Sequence, residues 1–351
     1  MTNSLASVRL DGLDLARFVA FAGMVVVNFE IAMGAENGGG ALGLVTGALE
    51  GRAAATFVVL AGIGLGLSAI RGDHAQTVAV TIKRAVFLLV LGLLNSLVFD
   101  ADILHYYAFY FLLGISLLRF QSRWLIAGIV LLNVMFVLMV FVFDYDAGWN
   151  WDDYSYAGFW TPAGFVRNLF FNGWHPVIPW LGFLLLGFLL SRTSLSNVST
   201  QNRLILFGTS AFVIAEVGSV LLAGPLNSLD PELAVFATTE PVPPMPLYMI
   251  AGAGVAASVV GLCLRYSDFF ARSGILRVVT PAGRQTLTLY IAHILVGMGA
   301  LEALGMHGNQ TVSRAVAAAL VFCLLSVIYA LIWSKIFKGG PIEAAMRKIA
   351  S

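Results

Sequence analysis

Charge is scarce in this chain. Of 351 residues only 11% are Asp, Glu, Lys or Arg, against about a quarter in a soluble domain. A soluble protein with so few charges could not cover its own surface. Net charge is scarce too. Twenty basic and 19 acidic residues leave +1 at neutral pH, so no nucleic-acid partner is implied. Cysteine is nearly absent. Cys263 and Cys323 both lie in apolar runs, which argues against a disulfide framework or a zinc site. No heptad pattern, no convincing internal duplication and no soluble domain stand out. What is abundant is apolar surface: 59% hydrophobic residues and 36 glycines, with a mean hydropathy of +0.88. The composition describes a polytopic membrane protein.

The first apolar run carries Asp14 and Arg17 and no small-residue cleavage site follows it, so it reads as a retained span rather than a signal peptide. A helix needs about 20 apolar residues to cross a bilayer. Ten segments qualify, some narrowly: 13–33, 52–70, 84–100, 103–118, 124–143, 174–191, 203–224, 245–264, 285–304 and 314–337. An even number puts both termini on one side. With the N-terminus inside, 17 basic residues fall on the cytoplasmic face and only Arg52, Arg167 and Arg314 outside, the asymmetry that orients membrane proteins. The expected fold is all-α, a single transmembrane domain over 1–351. It is a bundle of about ten transmembrane helices with both termini cytoplasmic, placed in a bacterial inner (cytoplasmic) membrane.

Ionisable and polar residues inside spans are costly and face the bundle interior or a watery cavity. Asp14 and Arg17 share a helix face at i, i+3 and can pair. Asn28 follows Arg17 by eleven residues, three turns and about 20° of rotation, and extends the same stripe. Glu30, Glu216 and Glu302 read as packing or snorkelling acids. In Asp102-Ile103-Leu104-His105 a carboxylate one turn before an imidazole can fix its tautomer and raise its basicity, as a general base requires. His175 stands in Trp174-His175-Pro176-Val177-Ile178-Pro179-Trp180, where two prolines interrupt regular helix at membrane depth; irregular backbone there normally lines a cavity. His293 is the histidine set deepest in an apolar run. Depth arithmetic places Asn28, His105, His175 and His293 in the outer half of the membrane, on four separate helices around one cavity. Which histidine is the base stays open. No metal is expected: there is no His-Glu-x-x-His and no ligand-spaced carboxylate–histidine set.

Loops 71–84 and 265–284 cluster basic residues on the cytoplasmic side, Lys83, Arg84 and Arg284 among them, a pattern that suits polyphosphate. Arg284 opens the ninth span below His293. The segment 144–172 is long, acidic and aromatic, either an interfacial belt or a lid or platform for an external sugar. Gly62, Gly64 and Gly66 permit close helix packing.

Several stretches then look familiar. They are Arg9-Leu10-Asp11-Gly12-Leu13-Asp14-Leu15-Ala16-Arg17 continuing to Asn28, Gly51-Arg52-Ala53-Ala54, Asp102 to Tyr107, His175 to Gly187, Pro281 to Tyr290, and Gly340-Pro341-Ile342-Glu343. Together they resemble the YeiB-type and heparan-α-glucosaminide N-acetyltransferase-like superfamily. The resemblance implies a multi-helix membrane acyltransferase that takes acetyl-CoA or another acyl-CoA from the cytoplasm and acylates an extracytoplasmic glycan or lipid-linked acceptor. Asp14, Arg17 and Asn28 match its first-helix motif, and Arg284 and Tyr290 its late motif. Two departures stand out: Phe18 where the family usually has Gly, and no histidine in Glu36-Asn37-Gly38-Gly39-Gly40, where the acetyltransferase branch has its catalytic one.

The expected catalytic set is therefore His105, Asp102, His293, His175 and Asn28. The expected acyl-CoA set is Arg17, Asp14, Arg284, Lys83, Arg84 and Tyr290. Membrane lipid, acyl-CoA and the acceptor are the expected partners, and a homo-oligomer is left open. Two other classes compete: a proton-coupled transporter or exporter of a small solute, and a non-catalytic membrane component.

Overall fold

The computed structural model describes residues 10–35 and 39–350; Arg9, Glu36, Asn37 and Gly38 lie outside them. In chain order the helices are α1 (Asp11–Ala32), α2 (Gly40–Gly47), α3 (Arg52–Arg71), α4 (His74–Asn95), α5 (Leu104–Leu117) and α6 (Ser122–Val142). A hairpin of β1 (Trp149–Asn150) and β2 (Ser155–Tyr156) follows. Then come α7 (Pro162–Arg167), α8 (Val177–Ser191), α9 (Val198–Leu229), α10 (Pro246–Arg265), α11 (Ser267–Arg272), α12 (Ile275–Gly283) and α13 (Thr286–Ala292). The last are α14 (Gly299–Ala303), α15 (Val312–Ser334) and α16 (Pro341–Ala350). The protein is an all-α integral membrane protein apart from the two-stranded hairpin.

Eight helical stretches are long and apolar enough to cross a membrane, and a ninth is a pair bent by 51°, Pro162–Asn172 with Val177–Ser191. The expected ten is therefore too many. The segment that falls out is the fourth, 103–118, which forms α5, only 14 residues long. At 1.5 Å per residue it rises about 21 Å, short of the about 30 Å hydrocarbon core. Its shortness has a consequence. Leu118, just past its end, lines a polar cavity with the ends of α3 and α8 and the start of α4, so its first residues lie sunk below the opposite face. The 144–172 segment folds over that recess.

Two of the expected basic loops are largely helical. Asp73 caps α4 by accepting a hydrogen bond from Gln76 N–H at 3.0 Å, so the helix starts at His74, and Lys83 and Arg84 sit on it rather than in a loop. Residues 265–284 contain α11 and α12. The bundle is held by close backbone approaches. A Cβ on Gly62 would stand 2.3 Å from the Leu184 carbonyl, and one on Gly187 only 2.7 Å from Gly62 Cα. α3 and α8 therefore cross through a glycine pair, the small-residue packing that drives association in lipid. α1 packs on α3, α10, α12 and α15, which joins the two ends of the chain in one bundle.

Candidate active site

The Asp102-to-His105 turn is the centre of a buried polar network. Asp102 and His105 are both fully buried. One carboxylate oxygen of Asp102 accepts from the backbone N–H of Leu104 at 2.8 Å and of His105 at 3.2 Å. The same oxygen lies 3.2 Å from His105 Nδ1. A carboxylate can only accept, so Nδ1 carries the proton and the lone pair of the neutral ring is on Nε2. That Nε2 is buried and has no hydrogen-bond partner among the described residues. The other carboxylate oxygen accepts from Asn95 Nδ2 at 2.8 Å and from the Tyr290 hydroxyl at 3.3 Å. Gly92 makes the turn sterically allowed: a Cβ there would stand 2.4 Å from His105 N and 2.9 Å from the carboxylate.

Tyr290 ties this turn to the second histidine. Its hydroxyl also accepts from Ile103 N–H at 3.2 Å, and its ring lies 5.0 Å from that of His293. His293 Nδ1 donates to the Tyr290 carbonyl. Its Nε2 therefore accepts, and Asn28 Nδ2 donates to it at 2.9 Å. An amide nitrogen has two donors, so Asn28 keeps one more. His293 opens a π-helical stretch, His293–Met298, the kind of bulge found often at functional sites. The start of α13 is capped from a distance. Glu343 accepts from Leu287 N–H at 2.8 Å, Thr288 N–H at 3.1 Å and the Thr288 hydroxyl at 2.5 Å. The Gly340-to-Glu343 motif thus orients the helix that carries Tyr290 and His293.

The third histidine joins on the opposite side. The His105 ring lies 3.9 Å from that of Tyr106, which faces His175 at 5.8 Å. Tyr110 donates to the His175 carbonyl at 2.5 Å and Tyr106 to Asn168 Oδ1 at 2.5 Å. His175 Nδ1 is buried with no hydrogen-bond partner among the described residues. Phe159 meets the His105 ring edge-on at 5.6 Å, so the 144–172 segment roofs the site. Its hairpin is pinned by Trp149 Nε1, which donates to the Asn172 carbonyl at 2.6 Å. In the hairpin turn the Ser155 hydroxyl and N–H hold the exposed Asp153 carboxyl below its ordinary range.

All five residues expected to be catalytic therefore belong to one connected network, and Tyr290 belongs with them rather than with the basic residues. The rest of the expected acyl-CoA set is elsewhere. Arg17 pairs with Asp14 at 2.5 Å. Arg284 reaches Asp14 at 3.0 Å and Asp11 at 3.0 Å. These residues clip α1 to the segment between α12 and α13. Arg84 meets the like charge of Arg347 on α16, and Lys83 is exposed beside it on α4. A different basic set lines the polar cavity, of about 420 Å³, between the ends of α3, α5 and α8 and the start of α4: His74, Arg119 and Arg192, beside Asp73. Sequence reading passed over these three and over Asn95, Asn168 and Gly92. Glu216, read as a snorkelling acid, pairs with the buried Arg52 at 2.5 Å. No cluster of His, Cys, Asp or Glu among the described residues could hold a metal ion.

Two family models match the chain. The model described as heparan-alpha-glucosaminide N-acetyltransferase, catalytic, covers residues 9–223. The model described as protein of unknown function (DUF418), the YeiB type, covers 190–351. Helices from both matched stretches build the site: α1 and α5 from the first, α13 from the second. No curated protein and no solved structure matches.

Proposed function

The chain belongs to the heparan-alpha-glucosaminide N-acetyltransferase catalytic family, and from that premise we propose that it is a membrane acyltransferase with His105 as its general base. The observation that carries the proposal is the state of that imidazole: Nδ1 bound to a buried carboxylate, Nε2 buried and unpartnered among the described residues. A buried polar atom left without a partner costs free energy, and an acceptor hydroxyl or amine would supply one. The donor is acetyl-CoA or another acyl-CoA, delivered from the cytoplasm. The acceptor is an extracytoplasmic glycan or lipid-linked group.

In this reading Nε2 takes the acceptor's proton as its oxygen or nitrogen attacks the thioester carbonyl. The second Asn28 N–H is the donor that stabilises the oxyanion, while the Tyr290 hydroxyl, whose one proton goes to Asp102, holds the carboxylate in place. Such donors contribute about 2.7–4 kcal/mol each in acyl transfer. Collapse breaks the C–S bond and the imidazolium returns the proton to the CoA thiolate. Asp102, held by Asn95 and two backbone N–H groups, fixes the tautomer and stabilises the imidazolium.

The phosphates of CoA fit His74, Arg119 and Arg192 better than the Arg17–Asp14–Arg284 clip, because the clip's guanidiniums are already engaged by carboxylates. Clustered arginines recognise phosphate strongly. Binding of acetyl-CoA to the purified protein, read by thermal shift and calorimetry, tests this. The expected result is saturable binding weakened at least tenfold in the double variant Arg119→Ala/Arg192→Ala. No binding up to millimolar ligand would remove the acyltransferase reading and leave the family match as evidence of fold.

A further inference from the structure

A groove runs between α6 and α10 with α8 as its floor, and its occupant follows from where it lies. α6 packs along α8 but barely touches α10, leaving a cleft of about 470 Å³. That is within the range of about 300–1,000 Å³ for ligand pockets. Val134 and Leu138 of α6 form the exposed rim. Phe183, Met249 and Ala253 form the inner wall. Gly182 keeps the floor open, since a Cβ there would only reach contact distance, 3.7 Å, from Ile129 and Met249. On α6 and α8 these positions are mid-helix, and on α10 they run inward from its first turn, so the groove opens into hydrocarbon rather than water.

A wall of buried aromatic rings separates one end of the groove from the site. The Phe183 ring meets Trp180 edge-on at 5.2 Å, and Trp180 meets His175 edge-on at 4.7 Å. Trp180 and Tyr248 are fully buried. Trp180 Nε1, Tyr248 Oη and His175 Nδ1 are buried polar atoms with no hydrogen-bond partner among the described residues. Apolar walls ending at unpartnered donors and acceptors match an amphipathic molecule. At this depth, a hydrocarbon chain with a polar head is what the membrane itself supplies.

We propose that the α6–α8–α10 groove holds the hydrocarbon tail of a membrane lipid whose polar headgroup, reaching past Trp180 to the unpartnered atoms of Tyr248 and His175, is the acyl acceptor. This rests on the acyltransferase reading above and narrows its acceptor to a lipid. In the transfer, a headgroup O–H or N–H gives its proton to His105 Nε2. The new C–O or C–N bond forms, the thioester C–S bond breaks, and CoA leaves as the thiol.

The test has two arms. In the first, protein in liposomes containing a phospholipid with a diazirine in its acyl chain is photolysed and its labelled peptides are mapped. Labelling is expected to concentrate on α6, α8 and α10. It should fall at least fivefold in Gly182→Leu/Ala253→Phe and in the rim variant Val134→Phe, with acetyl-CoA binding kept in both. In the second arm, radiolabelled acetyl-CoA is supplied with a total membrane lipid extract or with water-soluble glucosamine. Label is expected in the organic phase, and less of it in the filled variants.

Labelling spread equally over α9 and α15, unchanged by filling, overturns the proposal, as does cross-linking of α6 to a second copy of the chain. Transfer to glucosamine alone refutes the lipid acceptor while the acyltransferase reading stands. Groove labelling without transfer to either acceptor refutes that reading, and the acceptor role with it.

Discussion

Two polar clusters join helices of this bundle, one part-exposed and one fully buried, and they are built to opposite rules. In the clip at the start of α1, each guanidinium meets a carboxylate: Arg17 on Asp14, Arg284 on Asp14 and Asp11. Its charges are matched, and it joins helices. In the network around Asp102 the carboxylate is saturated with donors, yet His105 Nε2 and His175 Nδ1 have no hydrogen-bond partner among the described residues. Saturated clusters hold structure; clusters with an aimed, unpaired atom await another molecule. The contrast separates Arg284 from His293, nine positions apart, which the sequence places on one span with Arg284 directly below His293.

The largest effect expected from breaking the contrast is on the unpaired side. His105→Ala should lower acyl transfer by about 10²–10⁴-fold, the usual worth of a general base. Asp102→Asn should cost about 10²-fold or more, because it loses the acceptor that fixes the tautomer; a pH–rate profile displaced from wild type distinguishes this from misfolding. Gly92→Ala should cost about 10²-fold, since its Cβ must push the His105 backbone aside and misplacement of about 1 Å is worth that much. A single-turnover rate, compared with acetyl-CoA affinity, separates misplaced chemistry from lost binding.

On the saturated side the changes should appear in stability. Glu343→Ala leaves the first N–H groups of α13 uncapped and should cost about 1–2 kcal/mol, seen as a lower Tm in detergent. Arg284→Ala should cost about 1 kcal/mol at most, because its side chain is more than a third exposed and Asp14 keeps Arg17. The smallest effect is in the hairpin. Asp153 titrates below its ordinary range, so its contribution is complete above the unfolded carboxylate's pKa and is lost as pH falls through the folded one. Ser155→Ala removes the hydroxyl but keeps the N–H, so it should weaken that acid-side loosening without abolishing it, measured by hydrogen exchange of residues 149–156.

Local rules made part of this legible. The i, i+3 spacing of Asp102 and His105 gave both tautomer and partner, and the Asp14–Arg17 pair followed from the same spacing. Hydropathy found the long spans, but it cut α4 ten residues short, because its first turns are polar although Asp73 caps them. It counted α5 as a full span because apolarity does not measure length against the bilayer. Tertiary pairings were beyond reach. Nothing near Tyr290 announces a bond to Asp102, 188 positions away, nor does Glu343 announce a cap on α13. Gly92 and Asn95 belong to the site through contacts made only when α4 folds back on α5.

The most direct test of the central claim is acyl transfer by His105→Ala in liposomes, with acetyl-CoA binding measured on the same preparation. The account predicts unchanged binding and a rate at least 100-fold below wild type. A full rate would show that the unpaired Nε2 of His105 is not the base, and would contradict the reading of the site.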